Sequence, residues 1–244
     1  MMENARVLVV EHQGNAGIGH FATSLTAQGV ELHTVGPATT EDLPESLDGF
    51  DGLIVLGGSM GPTDDDAAPW LPATRALLAE SVERSVPTLG ICLGAQLLAT
   101  ATGGAVRNMP GGPEVGLLPV GFDAAHAQDP LFGPLAGSTV PTVQWHWLEA
   151  AELPQGATVL ASNEACRNQA FRLGTAAWGV QFHPEALSPT AEDWIVEEGD
   201  GLDELGLSGP DVVAEVRAAE DRLRRLWGGV AERFAGVVRE AAKP

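Results

Sequence analysis

Apolar residues fall in short blocks along the first hundred positions, separated by polar or glycine-rich stretches. Ala5-Arg6-Val7-Leu8-Val9-Val10 reads as a buried strand. A polar segment from Glu11 to Gly19 follows, then an amphipathic stretch near Phe21 to Ala27. Val30 to Val35, Leu53 to Leu56 and Val86 to Ile91 repeat the strand signature, and the run at 53–56 ends in Gly57-Gly58. Trp70 to Arg84 has helical spacing, with Leu71, Leu77, Leu78 and Val82 able to share a face, and Leu93 to Thr102 predicts another helix. Strands alternating with helices predict a parallel, doubly wound α/β sheet.

The second half is punctuated differently. Leu117–Phe122, Thr139–Trp145, Ala157–Ala161, Ala170–Leu173 and Trp178–Phe182 are short and bounded by Gly, Pro or polar residues. They predict antiparallel strands added to the parallel core. From Pro210 onward Val212, Val216, Ala219, Leu223, Leu226, Val230, Phe234 and Val237 recur at spacings of three and four, one apolar stripe on a long helix. Packing onto the domain is its expected use, a homodimer seam the minority alternative. Gly199 to Gly209 is expected to be a surface connection. With no repeat and no long linker, the chain reads as one domain, 1–244, with a C-terminal helical extension over about 189–244.

The 244 residues include 33 acidic and 13 basic side chains, a formal net charge of −20. That charge repels phosphate backbones and argues against nucleic-acid binding. A high-GC coding sequence explains the acidity more simply than a saline cytoplasm does. No apolar run reaches the ~18 residues of a membrane span, and the first ten residues lack a signal-peptide layout. Two cysteines, Cys92 and Cys166, exclude a disulfide scaffold and a four-thiolate zinc site. A cytoplasmic location follows as the expectation.

The chemistry concentrates in Gly90-Ile91-Cys92-Leu93-Gly94. A strand runs into G-x-C-x-G and a helix-forming run follows, the layout of a nucleophile elbow. Its apex side chain stands at a helix N-terminus, whose partial positive charge suits an anionic nucleophile. A lone cysteine is more often a buried structural thiol. That reading holds for Cys166, while the flanking glycines set Cys92 apart. A thiol nucleophile needs a base and an orienting group. Gln181-Phe182-His183-Pro184-Glu185 offers His183 and Glu185 across a proline-stiffened bend. Donors for a developing oxyanion can come from the Gly57-Gly58-Ser59-Met60-Gly61-Pro62 loop and from the N–H of Leu93. Asp64-Asp65-Asp66 is expected to be a solvated loop, not a metal site, and no other His or Cys has ligand spacing. His12, His20, His33 and His126 are expected to be surface or locally satisfied residues.

Together, in this order, the 57–62 loop, Gly90 to Gln96, and Gln181 to Glu185 resemble the class I (triad, cysteine-type) glutamine amidotransferases. The nearest likeness is to stand-alone GMP-synthase-like members. Thr63 to Asp66 before Pro69-Trp70-Leu71, Gly111 to Gly116, Gln144-Trp145-His146 and Asn168 to Phe171 fit that subgroup, and the likeness covers roughly residues 5–235. Many members carry His where this chain has Ala95, a position outside the triad.

The resemblance implies a flavodoxin-like fold and a Cys92 nucleophile, with His183 as acid/base and Glu185 as its orienter. It places the oxyanion hole at Gly58 and Leu93, and substrate contacts at Gly57, Gly58, Gln96, Gln144, Trp145 and His146. Neither a metal nor a cofactor is implied. The implied activity is hydrolysis of the glutamine side-chain amide through a γ-glutamyl thioester. Its ammonia would go to a separate synthase or acceptor-binding protein, because the chain shows no phosphate loop or amination domain of its own. Two alternatives stand beside it: a γ-glutamyl amide or peptide hydrolase without a synthase partner, and a catalytically idle regulatory protein. The intact Cys92, His183 and Glu185 weigh against the idle protein.

Overall fold

The computed structural model describes residues 4–243. Its elements, in order, are β1 (Ala5–Val10), α1 (Phe21–Ala27), β2 (Val30–Val35), β3 (Gly52–Val55), α2 (Leu71–Glu83), β4 (Thr88–Ile91) and α3 (Leu93–Ala101). The chain continues through β5 (Ala105–Asn108), β6 (Glu114–Phe122), β7 (Thr139–His146), β8 (Leu148–Glu152), β9 (Thr158–Ser162), β10 (Ala170–Leu173) and β11 (Ala177–Val180). It closes with α4 (Ser188–Glu198), the short α5 (Gly201–Glu204) and α6 (Gly209–Ala241).

Nine strands form one sheet in the order β2-β1-β3-β4-β11-β10-β9-β6-β7. The pairs from β2 through to β11 are parallel, and those from β11 onward are antiparallel. This is the mixed α/β sheet the apolar blocks predict. Neighbouring residues of β1 and β3 send side chains to opposite faces, as the period of two requires. Val7, Val9 and Ile54 join one apolar cluster with Phe21, Trp227 and Phe234. Leu8, Val10, Leu53 and Val55 join the other with Leu71, Leu77 and Leu97. Both faces are therefore covered by helices, which is why these strands read as unbroken apolar runs.

The C-terminal helix is longer than its apolar stripe alone suggested, and the stripe lies slightly differently. From Leu223 the fully buried positions advance in steps of four, through Trp227 and Ala231, and through Val230, Phe234 and Val238. Leu226 and Val237 are only partly buried beside them. The indole of Trp227 takes the core face, 5.0 Å from the Phe182 ring and 6.5 Å from Phe122 between centroids. Helices α1 and α4 and strand β6 pack on α6, so its apolar face is used within the chain. The 199–209 connection is not plain loop, since it contains α5, whose Leu202 is buried. Among the described residues no helix is long and apolar enough to cross a membrane.

Strands β5 and β8 escape the hydrophobic pattern; they pair with each other in a separate two-stranded sheet, while α4 packs on α6.

Candidate active site

Cys92 sits where β4 turns into α3, with φ of 50°. A positive φ is uncommon for a residue with a Cβ, and it is the strained apex an elbow requires. The glycines on either side make the turn sterically feasible. A Cβ on Gly94 would lie 2.0 Å from the carbonyl oxygen of Val55, and one on Gly90 would lie 2.5 Å from that of Gly94. The Cys92 N–H donates to Val180 O on the adjacent strand at 2.8 Å. Leu93 is the first residue of α3, so its N–H belongs to the turn that has no intrahelical acceptor.

Strand β11 runs parallel to β4 with Gly90 opposite Gly179 and Ile91 opposite Val180. The chain then carries Gln181 and His183 past the same sheet edge as Cys92. His183 Nδ1 meets Glu185 Oε1 at 2.7 Å, and both residues are almost fully buried. With Nδ1 taken, Nε2 is the nitrogen left for the thiol. Burial alone would push the His183 pKa down. The charges of Glu185 and Cys92, and hydrogen bonds to both, instead raise it from 6.5 to about 10. Gly57 explains the ring's close approach: a Cβ there would stand 2.9 Å from His183 Cε1 and 3.7 Å from Cys92 Cβ. A side chain at position 57 would thus meet both predicted partners, and the imidazole hydrogen-bonds to Cys92 as well as to Glu185.

The loop after β3 closes the other side. A Cβ on Gly58 would touch Leu93 Cδ2 at 3.0 Å, so the two predicted oxyanion donors are neighbours. The Ser59 N–H is already taken by Gln13 Oε1 at 2.7 Å. His12 lies beneath this loop, where its Nδ1 accepts from Trp70 Nε1 at 3.0 Å while its Nε2 has no partner. Burial lowers its pKa from 6.5 to about 4. Of the two expectations, surface or locally satisfied, His12 is not on the surface: it is a buried neutral histidine with one ring nitrogen satisfied by Trp70. His20 is half-buried against Pro184 O, and His33 pairs with Glu41 at 3.0 Å.

A cavity of about 290 Å³ opens over Cys92. Gly58, Gln96, Trp145, His146 and His183 line it, as the sequence suggested. Gln96 Nε2 reaches Leu148 O at 3.2 Å and Gln181 Oε1 at 3.4 Å, and Gln181 Nε2 in turn points at Cys92 Sγ from 3.7 Å. Gln144 corrects the expectation. Its amide is held by Thr142 Oγ1 and Gln169 Oε1 in the buried layer and does not reach the cavity. Its place opposite Gly116 on β6 puts it in one polar network with Glu114, which accepts from Gln169 and Asn163. His146 belongs to both places: its ring lies beside Glu114 at 3.2 Å, bonds Leu148 O through Nδ1 at 2.9 Å, and still borders the cavity. Gly57 lies behind the His183 ring rather than on the cavity wall.

The sequence reading missed part of the cavity wall. Trp194, Glu197 and Glu198 of α4, with Gln13 and Ala16, also line it. The Trp194 ring lies 4.5 Å from His183 and 5.4 Å from Trp145, and its Nε1 donates to Asn15 O at 2.9 Å. A tryptophan inside an otherwise acidic helical segment was the available signal. Cys166, by contrast, is buried away from the cavity and its pKa is pushed up to about 12, mainly by burial, so it remains an inert thiol. Asp64 and Asp65 are occupied locally, by the Gly61 N–H and by Arg75. Among the described residues no cluster of His, Cys, Asp and Glu could hold a metal ion.

Comparison with known proteins points to one family. The family described as "Glutamine amidotransferase class-I" matches residues 19–199. A glutamine amidotransferase-like protein of Salmonella typhimurium, YfeJ, is 31% identical over 91% of this chain and 94% of its own. One of the subunits of the glutamine-hydrolyzing GMP synthase of Natronomonas pharaonis is 32% identical over 79% of this chain and 94% of its own. The crystal structure of a glutamine amidotransferase from Thermotoga maritima superposes with a TM-score of 0.84 at 27% identity, covering 95% of this chain and 98% of that one.

Proposed function

Because the chain belongs to the class I glutamine amidotransferase family, we propose that it hydrolyses the side-chain amide of glutamine or of a γ-glutamyl compound at Cys92. The observation that carries this reading is the imidazole that hydrogen-bonds to both sulfur and carboxylate at a positive-φ elbow.

The Cys92 thiolate attacks the γ-carbonyl carbon, and the N–H groups of Gly58 and Leu93 receive the developing oxyanion. His183, its ring fixed by Glu185, gives its proton to the departing nitrogen. A γ-glutamyl thioester remains, which water activated by the same His183 hydrolyses to glutamate. The Gln96–Gln181 pair holds the sulfur from the far side. With glutamine the nitrogen leaves as ammonia. A relative named as one part of a glutamine-hydrolyzing synthase supports delivery to a separate synthase or acceptor-bearing protein. A second reading, cleavage of a larger γ-glutamyl amide without a synthase, is favoured by the cavity wall beyond His183, which ammonia would leave empty.

The test is glutamate release by the purified protein, with and without cell extract. Cys92→Ala should reduce it to background, and a thiol-directed glutamine analogue should label Cys92 and spare Cys166. Equal turnover by the Cys92→Ala protein would end the proposal. A folded, reduced protein that neither turns over nor takes the label would instead be the idle form.

A further inference from the structure

We propose that the site takes γ-glutamyl amides whose leaving amine carries a second, positive charge, and that Glu197 and Glu198 receive that distal ammonium. This rests on the hydrolytic reading above and names its substrate class. The departing nitrogen takes its proton from His183, so the leaving group lies on the His183 side of the scissile bond. That side is walled by Trp194, 4.5 Å from the His183 ring. Glu197 and Glu198 stand three and four residues further along α4, on the same helix face, and both line the cavity. The glutamyl α-groups are then left to the part of the wall built by Gln96, His146 and Leu148.

Charge decides which leaving group this half suits. Among the described residues no lysine or arginine lines the cavity. A leaving group ending in a carboxylate would meet two carboxylates and no cation, whereas an ammonium would meet both carboxylates and the faces of Trp145 and Trp194. The first carboxylate is held in place: Asn15 Nδ2 donates to Glu197 Oε2 at 2.6 Å, and Gln13 Nε2 reaches it at 3.4 Å. Both donors are neutral amides, so they orient the charge without cancelling it. Glu198 is folded over Gly201, where an added Cβ would come within 2.6 Å of its Oε1. The chemistry balances as hydrolysis. The Cys92 S–C bond forms, the C–N bond breaks, and the diamine leaves with the His183 proton. Water then releases glutamate and restores the thiol.

The test compares kcat/KM for three γ-glutamyl amides of equal length, those of 1,4-diaminobutane, pentylamine and 4-aminobutanoate. The diamine derivative should exceed the neutral one by about tenfold, with the acid last, as two weak ion pairs would give. In Glu197→Gln/Glu198→Gln that ratio should collapse toward one. Val196→Gln, at a position 82% exposed on the same helix, should leave it unchanged. Calorimetric binding to the Cys92→Ala protein repeats the comparison without turnover. Cleavage of all three amides with no charge preference overturns the subsite and leaves the hydrolytic reading intact. Selective binding of the diamine derivative with no cleavage of it or of glutamine overturns the hydrolytic reading and leaves the subsite. Glutamine hydrolysis with neither binding nor cleavage of the three amides overturns the subsite alone, and absence of all of these overturns both.

Discussion

Replacing Glu185 by Gln isolates the electrostatic part of the triad. The amide keeps the shape and an oxygen that can accept the Nδ1 proton of His183, and only the charge is lost. Burial opposes a charged imidazole here, yet the His183 pKa stands at about 10 rather than 6.5, with Glu185 foremost among the groups that raise it. That rise corresponds to on the order of 5 kcal/mol in favour of the imidazolium. A buried hydrogen bond to a charged group is worth ~2–3 kcal/mol, so loss of the charge should cost about a hundredfold in rate at neutral pH. The assay is the rate of Cys92 alkylation by iodoacetamide between pH 5 and 10, beside glutamate release. Cys166 is fully buried with its pKa pushed up to about 12, so it adds no signal in this range. Glu185→Gln should alkylate about a hundredfold more slowly near pH 7 and recover at alkaline pH. The sign for stability follows from the same linkage. A raised histidine pKa stabilises the fold fully below 6.5, and that contribution is lost as pH rises through about 10. The native melting temperature should therefore fall more steeply over that window than the variant's. Identical alkylation profiles in the two proteins would refute this account of the triad.

Three further outcomes are expected. Gly94→Ala places a methyl 2.0 Å from the Val55 carbonyl oxygen; we expect a loss of ~3 kcal/mol and ~6–12 °C in Tm, and a calorimetric change under about 2 °C would contradict it. His12 is buried neutral with a pKa of about 4 against 6.5 unfolded, so stability should drop by ~3 kcal/mol as pH falls through that window. His12→Asn, which keeps an acceptor for Trp70, should flatten the slope of the urea midpoint between pH 7 and 4, and an unchanged slope would count against it. Trp227→Phe deletes a buried indole N–H that has no partner, so the gain offsets the lost packing and denaturant unfolding should change by less than ~1 kcal/mol; a loss above ~3 kcal/mol would show that the indole N–H is satisfied after all.

The parallel core was legible because burial on both faces turns each strand into an apolar run. The Val7/Leu8 and Ile54/Val55 pairs each serve both clusters. The elbow was legible because Gly90 and Gly94 are the residues such close backbone contacts demand. What the pattern hid lies where burial is partial. Strand β8, Leu-Glu-Ala-Ala-Glu, has the composition of a helix and becomes a strand only by pairing with β5. Helix α4 buries Ser188, Ala191 and Trp194 and otherwise faces solvent or the cavity, so it carries little periodicity. That is why Trp194, Glu197 and Glu198 escaped notice while the triad did not. Gln181 stood inside the recognised motif, but its reach to the sulfur depends on Gln96 from another element. Gln144 failed for a different reason: it shares the strand face of His146 but lies one period short of the end of β7, where Thr142 and Gln169 take its amide.

Cys92 and His183 both follow the same end of one parallel strand pair, β4 and β11, although a long stretch of chain runs between them. That whole excursion, with its antiparallel strands and one cavity wall, departs and returns at neighbouring points of a rigid frame. Segments inside the excursion can lengthen, shrink or change chemistry without retuning the distance between the two groups. On the proposed reading, the thiol and imidazole thereby stay put while the part of the cavity wall built within the excursion, Gln96, Trp145 and His146, is free to diversify.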